Sequence, residues 1–194
     1  MNKIAIYGGA FDPLTVGHQI CAQVVRACTG CIVWFMPAGV HRFGKEMASP
    51  EVRYEMCGKV AMHLGKGFFA SNYDITGDFG GSTYKMMDSL TSEDHNEGIE
   101  FSIVIGLDNV DSVFKWDRGQ ELIERFPFIV VGRDLGFQAK RMPDWYLKDP
   151  HQYIDSNFFC SSTHVKKLLK EEKDASRYLS PPVVEIIQKH GLYQ

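Results

Sequence analysis

The feature that most constrains this chain is its alternation of short, almost wholly apolar runs with longer segments carrying apolar stripes at helical spacing. Lys3-Ile4-Ala5-Ile6-Tyr7, Ile32 to Met36, Phe101 to Ile105 and Phe128 to Val131 hold too few polar residues to leave one face in water. Strands of that kind are buried on both faces, as in a parallel sheet covered by helices. Between them lie the stripes Ile20, Val24 and Val25, then Val52, Met56, Val60 and Leu64, then Met86, Met87 and Leu90. The predicted fold class is α/β, a doubly wound Rossmann-like parallel sheet with helices on both faces. At 194 residues and 44% hydrophobic, the chain has enough for one sizeable core and is short for two. No linker or repeat interrupts it, so residues 1–194 are expected to form a single domain.

Local signals place the remaining elements. Ser49-Pro50-Glu51 reads as a helix start, with a capping hydroxyl, a proline in the first turn and an acid where the dipole favours one. Ser82 is expected to cap the next helix, after the flexible stretch 77–81. A weaker strand is predicted at Phe68 to Ser71, a helix over about Gly119 to Arg125, and a last short strand at Asn157 to Phe159. A helix carrying Val165, Leu168 and Leu169 follows, then a terminal one from Pro181-Pro182 to about Lys189. Residues 134–157 hold few periodic apolar residues, though they include Trp145, Tyr146 and Tyr153, and are expected to form a long loop over a site.

Charge excludes some functions. With 21 Lys+Arg against 24 Asp+Glu the net charge is −3, which argues against a nucleic-acid or anionic-membrane binder. No apolar run has the length of a membrane span and no secretory pattern precedes the first strand, so a cytoplasmic setting is expected. The five cysteines include Cys28-Thr-Gly-Cys31, but no second pair or paired histidines stand at ligand spacing. Two ordinary thiols at a helix-to-strand turn is the better account. A homo-oligomer is left open.

The chemistry starts where the first strand meets Gly8-Gly9 and a helix follows. That order puts a helix N-terminus, with its free N–H groups and positive dipole end, at the carboxyl end of a central strand. His18, in the first turn, adds an imidazole. The stretch is not the dinucleotide fingerprint, since no G-x-G-x-x-G follows the strand. A second strand-to-helix stretch, Cys160-Ser161-Ser162-Thr163-His164-Val165-Lys166, offers hydroxyls and a cation to an anion, although alone Ser-Ser-Thr reads first as an N-cap cluster. Pro37 to Lys45 and Gly106 to Asp108 also fall at strand ends, so the fold would gather all four stretches.

The eleven residues Gly8 to His18 resemble the G-G-x-F-D-P-x-H-x-G-H signature of the nucleotidylyltransferase superfamily, with Thr15 in place of one histidine. Cys160 to Lys166 resembles that superfamily's I-S-S-T-x-I-R motif, with Lys166 in place of arginine. Together with Ser82-Thr83-Tyr84, Ile105 to Asp108, Trp116, Val130 to Arg133 and the Pro181 to Tyr193 segment, these make nearly the whole chain similar to the nicotinate/nicotinamide mononucleotide adenylyltransferase family. The resemblance implies transfer of AMP from ATP to a pyridine mononucleotide, with pyrophosphate released. It assigns the reacting phosphates to the backbone around Gly9, Ala10 and Phe11, with Thr15 and His18 beside them. Gly106 and Asp108 would meet the ribose or adenine, and Ser161, Ser162, Thr163 and Lys166 the leaving pyrophosphate. Thr83, Tyr84 and Trp116 would frame the pyridine ring, with Trp116 stacking on it, and Phe11 and Arg133 would serve the mononucleotide. Lys45 and Arg42 are basic loop candidates for further phosphate contacts. Mg²⁺ would come mainly on the ATP phosphates, with no dedicated protein metal site. Thr15 and Lys166 also suit a pantetheine-phosphate adenylyltransferase, against which stand Ser82-Thr83-Tyr84, Trp116 and the chain length. A non-catalytic nucleotide sensor is the other alternative, and the intact His18 and Ser161-Ser162-Thr163 argue against it.

Overall fold

Among the residues that a computed structural model describes (2–40, 47–132, 143–156 and 161–194), six strands form one parallel sheet ordered β3-β2-β1-β4-β5-β6. The strands are β1 (Asn2–Gly9), β2 (Ile32–Pro37), β3 (Phe68–Ala70), β4 (Ile99–Gly106), β5 (Phe128–Val131) and β6 (Gln152–Ile154). The helices are α1 (Val16–Thr29), α2 (Pro50–Leu64), α3 (Tyr73–Thr76), α4 (Thr83–Ser92), α5 (Gly119–Arg125), α6 (Ser162–Lys170) and α7 (Pro181–His190).

Side-chain alternation along β1 divides the core in two. Ala5 and Tyr7 face Ala22 and Val25 of α1, Met56 and Val60 of α2, Val165 of α6 and Ile186 of α7. Ile4 and Ile6 face Met86, Met87 and Leu90 of α4 and Leu122 of α5. Both faces of the sheet are therefore covered, which is what the unbroken apolar strands require. Burying each such aliphatic side chain contributes roughly 1.5–3 kcal/mol, enough for the short α4 and α5 to be held by packing rather than propensity.

The caps follow the sequence signals. The Ser49 hydroxyl accepts the Val52 N–H at 3.4 Å and that of Ser82 accepts the Lys85 N–H at 3.2 Å. Gly30, in the left-handed region at φ +71°, ends α1 between exposed Cys28 and buried Cys31, both free thiols. After β3 the chain returns to the other side of β1 and enters β4. Strand order thus reverses between β1 and β4, and their carboxyl ends, Gly8-Gly9 and Gly106, frame the crevice where open sheets bind ligands.

The long loop expected over 134–157 is corrected in its described part. Trp145 to Leu147 form a helical turn and Gln152 to Ile154 form β6, paired with β5 through Val130↔Tyr153. With three residues and only Ile154 buried, β6 is too short to show a period. The strand expected at 157–159 lies outside the described residues.

Candidate active site

The turn between β1 and α1 is built around Phe11. Its φ of +48° is unusual for a residue with a Cβ, and its ring is 1% exposed, packed edge-on to Tyr7, Phe35 and His18 at centroid distances of 5.5, 5.8 and 5.2 Å. Gly9 lies under that ring, where an added Cβ would come within 3.2 Å of it. The Phe11 side chain is thus a core wedge.

Thr15 is the N-cap of α1 and is fully buried. Its backbone N–H donates to His18 Nδ1 at 3.0 Å, and its hydroxyl lies 2.9 Å from the same nitrogen. A nitrogen that accepts from a backbone N–H holds no proton, so the ring proton of the neutral imidazole sits on Nε2. Thr15 therefore stands behind the imidazole and orients it.

The late motif meets this turn directly. Ser162 Oγ donates to the Pro13 carbonyl at 3.0 Å, and Lys166 Nζ lies 2.6 Å from Asp12 Oδ2. Asp12 is 3% exposed, and its Oδ1 accepts from the Tyr193 hydroxyl at 2.6 Å and the Ala48 N–H at 3.1 Å. Burial pushes its carboxyl up, but Lys166, Tyr193 and Ala48 outweigh that and hold it below the ordinary carboxylate range. Tyr193 is pushed well above the usual tyrosine value by burial and by the Asp12 carboxylate it donates to. Ser161, half-buried, stands at the N-cap position of α6 without a side-chain capping bond, and Thr163 is exposed.

Arg53 of α2 is a residue the motifs did not reveal. It is fully buried, and its guanidinium donates to the carbonyls of Ala48 (2.9 Å), Ala10 (2.9 Å) and Ala38 (2.7 Å). Burial lowers its pKa, and the nearby Asp12 charge opposes the shift. The available signal was an arginine three and four residues before Met56 and Cys57, on the stripe that faces the core.

A cleft of about 560 Å³ opens at the β1–β4 crevice. Gly8, Gly9 and Ala10 line it together with Thr83 of α4 and Trp116. Ser82 Oγ, at the α4 N-cap, donates to Asp117 Oδ2 at 2.5 Å and so ties Thr83 to the Trp116 turn. Tyr84 does not join the lining: one residue on, it is turned about 100° around the helix and is 4% exposed. Its hydroxyl donates to Glu121 at 2.7 Å and accepts from Arg125 at 2.9 Å, while Arg118 lies over its ring at 4.1 Å.

Sequence reasoning also missed Asp74, Asn109, Ser112 and Lys115, which line the cleft. Asp74 accepts the Gly39 N–H at 3.0 Å, and burial raises its pKa. Lys115 is exposed, and among the described residues no carboxylate pairs with it. Gly106 ends β4 and Asp108 is exposed, while His18 is half-buried; none of these three, and no residue of α6, lines the cleft. Lys45, Arg42 and Arg133 lie outside the described residues. Among the described residues no group of three or more His, Cys, Asp or Glu side chains is placed to hold a metal ion, and no helix is long and apolar enough to cross a membrane.

Residues 6–168 match the family model described as Cytidylyltransferase-like. A "Probable nicotinate-nucleotide adenylyltransferase" of Caldicellulosiruptor saccharolyticus is 30% identical over 210 residues, covering 99% of both chains. A relative of the same name in Clostridium kluyveri is 30% identical over 208 residues, covering all of both. Among solved structures, the Plasmodium falciparum nicotinic acid mononucleotide adenylyltransferase complexed with NaAD superposes with a TM-score of 0.78 at 21% identity, over 100% of this chain and 98% of that one. At that identity the superposition speaks for the fold, and the full-length sequence relatives speak for descent. This chain therefore belongs to the cytidylyltransferase-like family, and within it to the nicotinate-nucleotide adenylyltransferases.

Proposed function

We propose that this protein transfers the adenylyl group of ATP to the 5′-phosphate of nicotinate mononucleotide. A phosphate oxygen of the mononucleotide bonds to the α-phosphorus, the bond from that phosphorus to the bridging oxygen breaks, and pyrophosphate leaves with the electron pair. The observation that carries the reading is the docking of the Ser162–Lys166 segment on Asp12 and Pro13, next to a cleft that holds Thr83 and Trp116. One end suits a polyphosphate and the other a flat ring.

The nucleophile needs no general base, because its second pKa near 6 leaves it mostly dianionic at neutral pH. The work is to bring two polyanions together and to stabilise the crowded charge at the α-phosphorus. His18, with its proton on Nε2, supplies a donor there, aligned by Thr15. Gly9 and Ala10 offer backbone, and Ser161, Ser162, Thr163 and Lys166 receive the pyrophosphate. Trp116 and Thr83 hold the pyridine, and Lys115 in the lining favours a ring that carries a carboxylate. Mg²⁺ brought by ATP would offset the phosphate charge, with no dedicated protein site needed to hold it. Small soluble substrates fit a single cytoplasmic domain, and the net charge of −3 supports no nucleic-acid partner.

The test is pyrophosphate release from ATP with nicotinate mononucleotide, nicotinamide mononucleotide or phosphopantetheine in parallel. Release should be fastest with the nicotinate form. Release with phosphopantetheine alone, or with none of the three, overturns the proposal.

A further inference from the structure

The tail beyond α7 reaches back into the signature turn. Tyr193 takes a left-handed backbone, φ +62°, which a tyrosine adopts only where its surroundings require it. That bend delivers the half-buried ring to Asp12. The two oxygens of the Asp12 carboxylate are divided: Oδ1 accepts from Tyr193 and from Ala48, and Oδ2 meets the Lys166 ammonium. The Tyr193 ring also lies 5.9 Å from Lys166 Nζ. We infer that Tyr193 is a positioning residue for Lys166, acting through Asp12, and thereby sets affinity at the pyrophosphate end of the site.

The physical argument is one of competition. An ammonium has three donors, and a carboxylate accepts on both oxygens. With Oδ1 filled by Tyr193 and Ala48, Lys166 meets one oxygen and keeps donors for a phosphate. Removing the tyrosine hydroxyl leaves Oδ1 with the Ala48 N–H alone. A buried carboxylate short of a donor then holds the ammonium more tightly and on both oxygens, so Lys166 is drawn away from the phosphate. Ser162, bonded to Pro13, keeps the start of α6 in place throughout, so the change is confined to the lysine head. The inference rests on reading Lys166 as a phosphate ligand.

A double-mutant cycle tests it, with inorganic pyrophosphate as the probe and calorimetry on the full chain. Tyr193→Phe is expected to weaken pyrophosphate binding about tenfold. In turnover it should raise the KM for ATP and leave the KM for the mononucleotide unchanged. In a Lys166→Met background, Tyr193→Phe should add nothing. The same loss with and without Lys166, or unchanged binding in Tyr193→Phe, overturns the inference. Unchanged pyrophosphate binding in Lys166→Met alone overturns the assignment of Lys166 beneath it. The binding outcomes do not depend on which mononucleotide is the acceptor, since pyrophosphate binding is read without one.

Discussion

The Ser82 hydroxyl donates to the Asp117 carboxylate across 2.5 Å, and that one bond joins the start of α4 to the turn that presents Trp116. The two residues are 35 apart in the chain, and beside them Tyr84 of α4 is held in the same direction by Glu121 and Arg118, so Asp117 acts on the cleft side of that junction. Asp117→Ala is therefore expected to raise the KM for the mononucleotide about tenfold, with the KM for ATP little changed. Initial rates with each substrate varied in turn decide it, and an equal rise in both constants would refute the latch.

His18→Ala is expected to lower turnover by about 10²-fold or more, with ATP affinity close to wild type. Thr15→Val keeps the backbone N–H that points at Nδ1 and removes only the hydroxyl. Its turnover should fall by about tenfold or less, and the lost cap should cost about 1 kcal/mol of stability in urea. Near-normal turnover in His18→Ala would remove the imidazole from the reaction.

The Asp12–Tyr193 pair carries a pH dependence whose signs are opposite at the two ends. The Asp12 pKa is depressed in the fold, so its contribution is fully present above about pH 4 and lost as pH falls through the folded value. The Tyr193 pKa is raised in the fold, so its contribution is fully present below about pH 10 and lost as pH rises toward the folded value. Urea midpoints measured against pH should show both limbs in the wild type. In Tyr193→Phe the alkaline limb weakens and the acid limb moves to higher pH, because Asp12 has lost a donor.

Arg53→Leu removes a donor from three carbonyls at once and is expected to destabilise the fold by about 3–5 kcal/mol. Arg53→Lys keeps the charge but cannot span the same fork, and should fall between the two. Urea unfolding followed by circular dichroism gives both values.

Much of the scaffold could be read from the residues. Apolar runs without alternation gave β1, β2, β4 and β5, and hydroxyl caps gave the starts of α2 and α4. The helix over Gly119 to Arg125 falls where the pattern put it. Periodicity had nothing to act on in β6 or in the four-residue α3. At the site, motif spacing named Thr83 and Tyr84 together, yet a helix separates neighbours by rotation, so one faces the cleft and the other the core. The links from Ser82 to Asp117, from Tyr193 to Asp12 and from Arg53 to three carbonyls each join residues far apart in the chain, or donate to backbone that carries no residue-type signal.

The Arg53 fork has a consequence for how the mouth of the site behaves. The turn after β1 and both ends of the connection from β2 to α2 hang from one rigid planar group. They cannot drift independently. A displacement of the backbone at Ala10 is passed through the guanidinium to Ala38 and Ala48, so the rim yields as one piece.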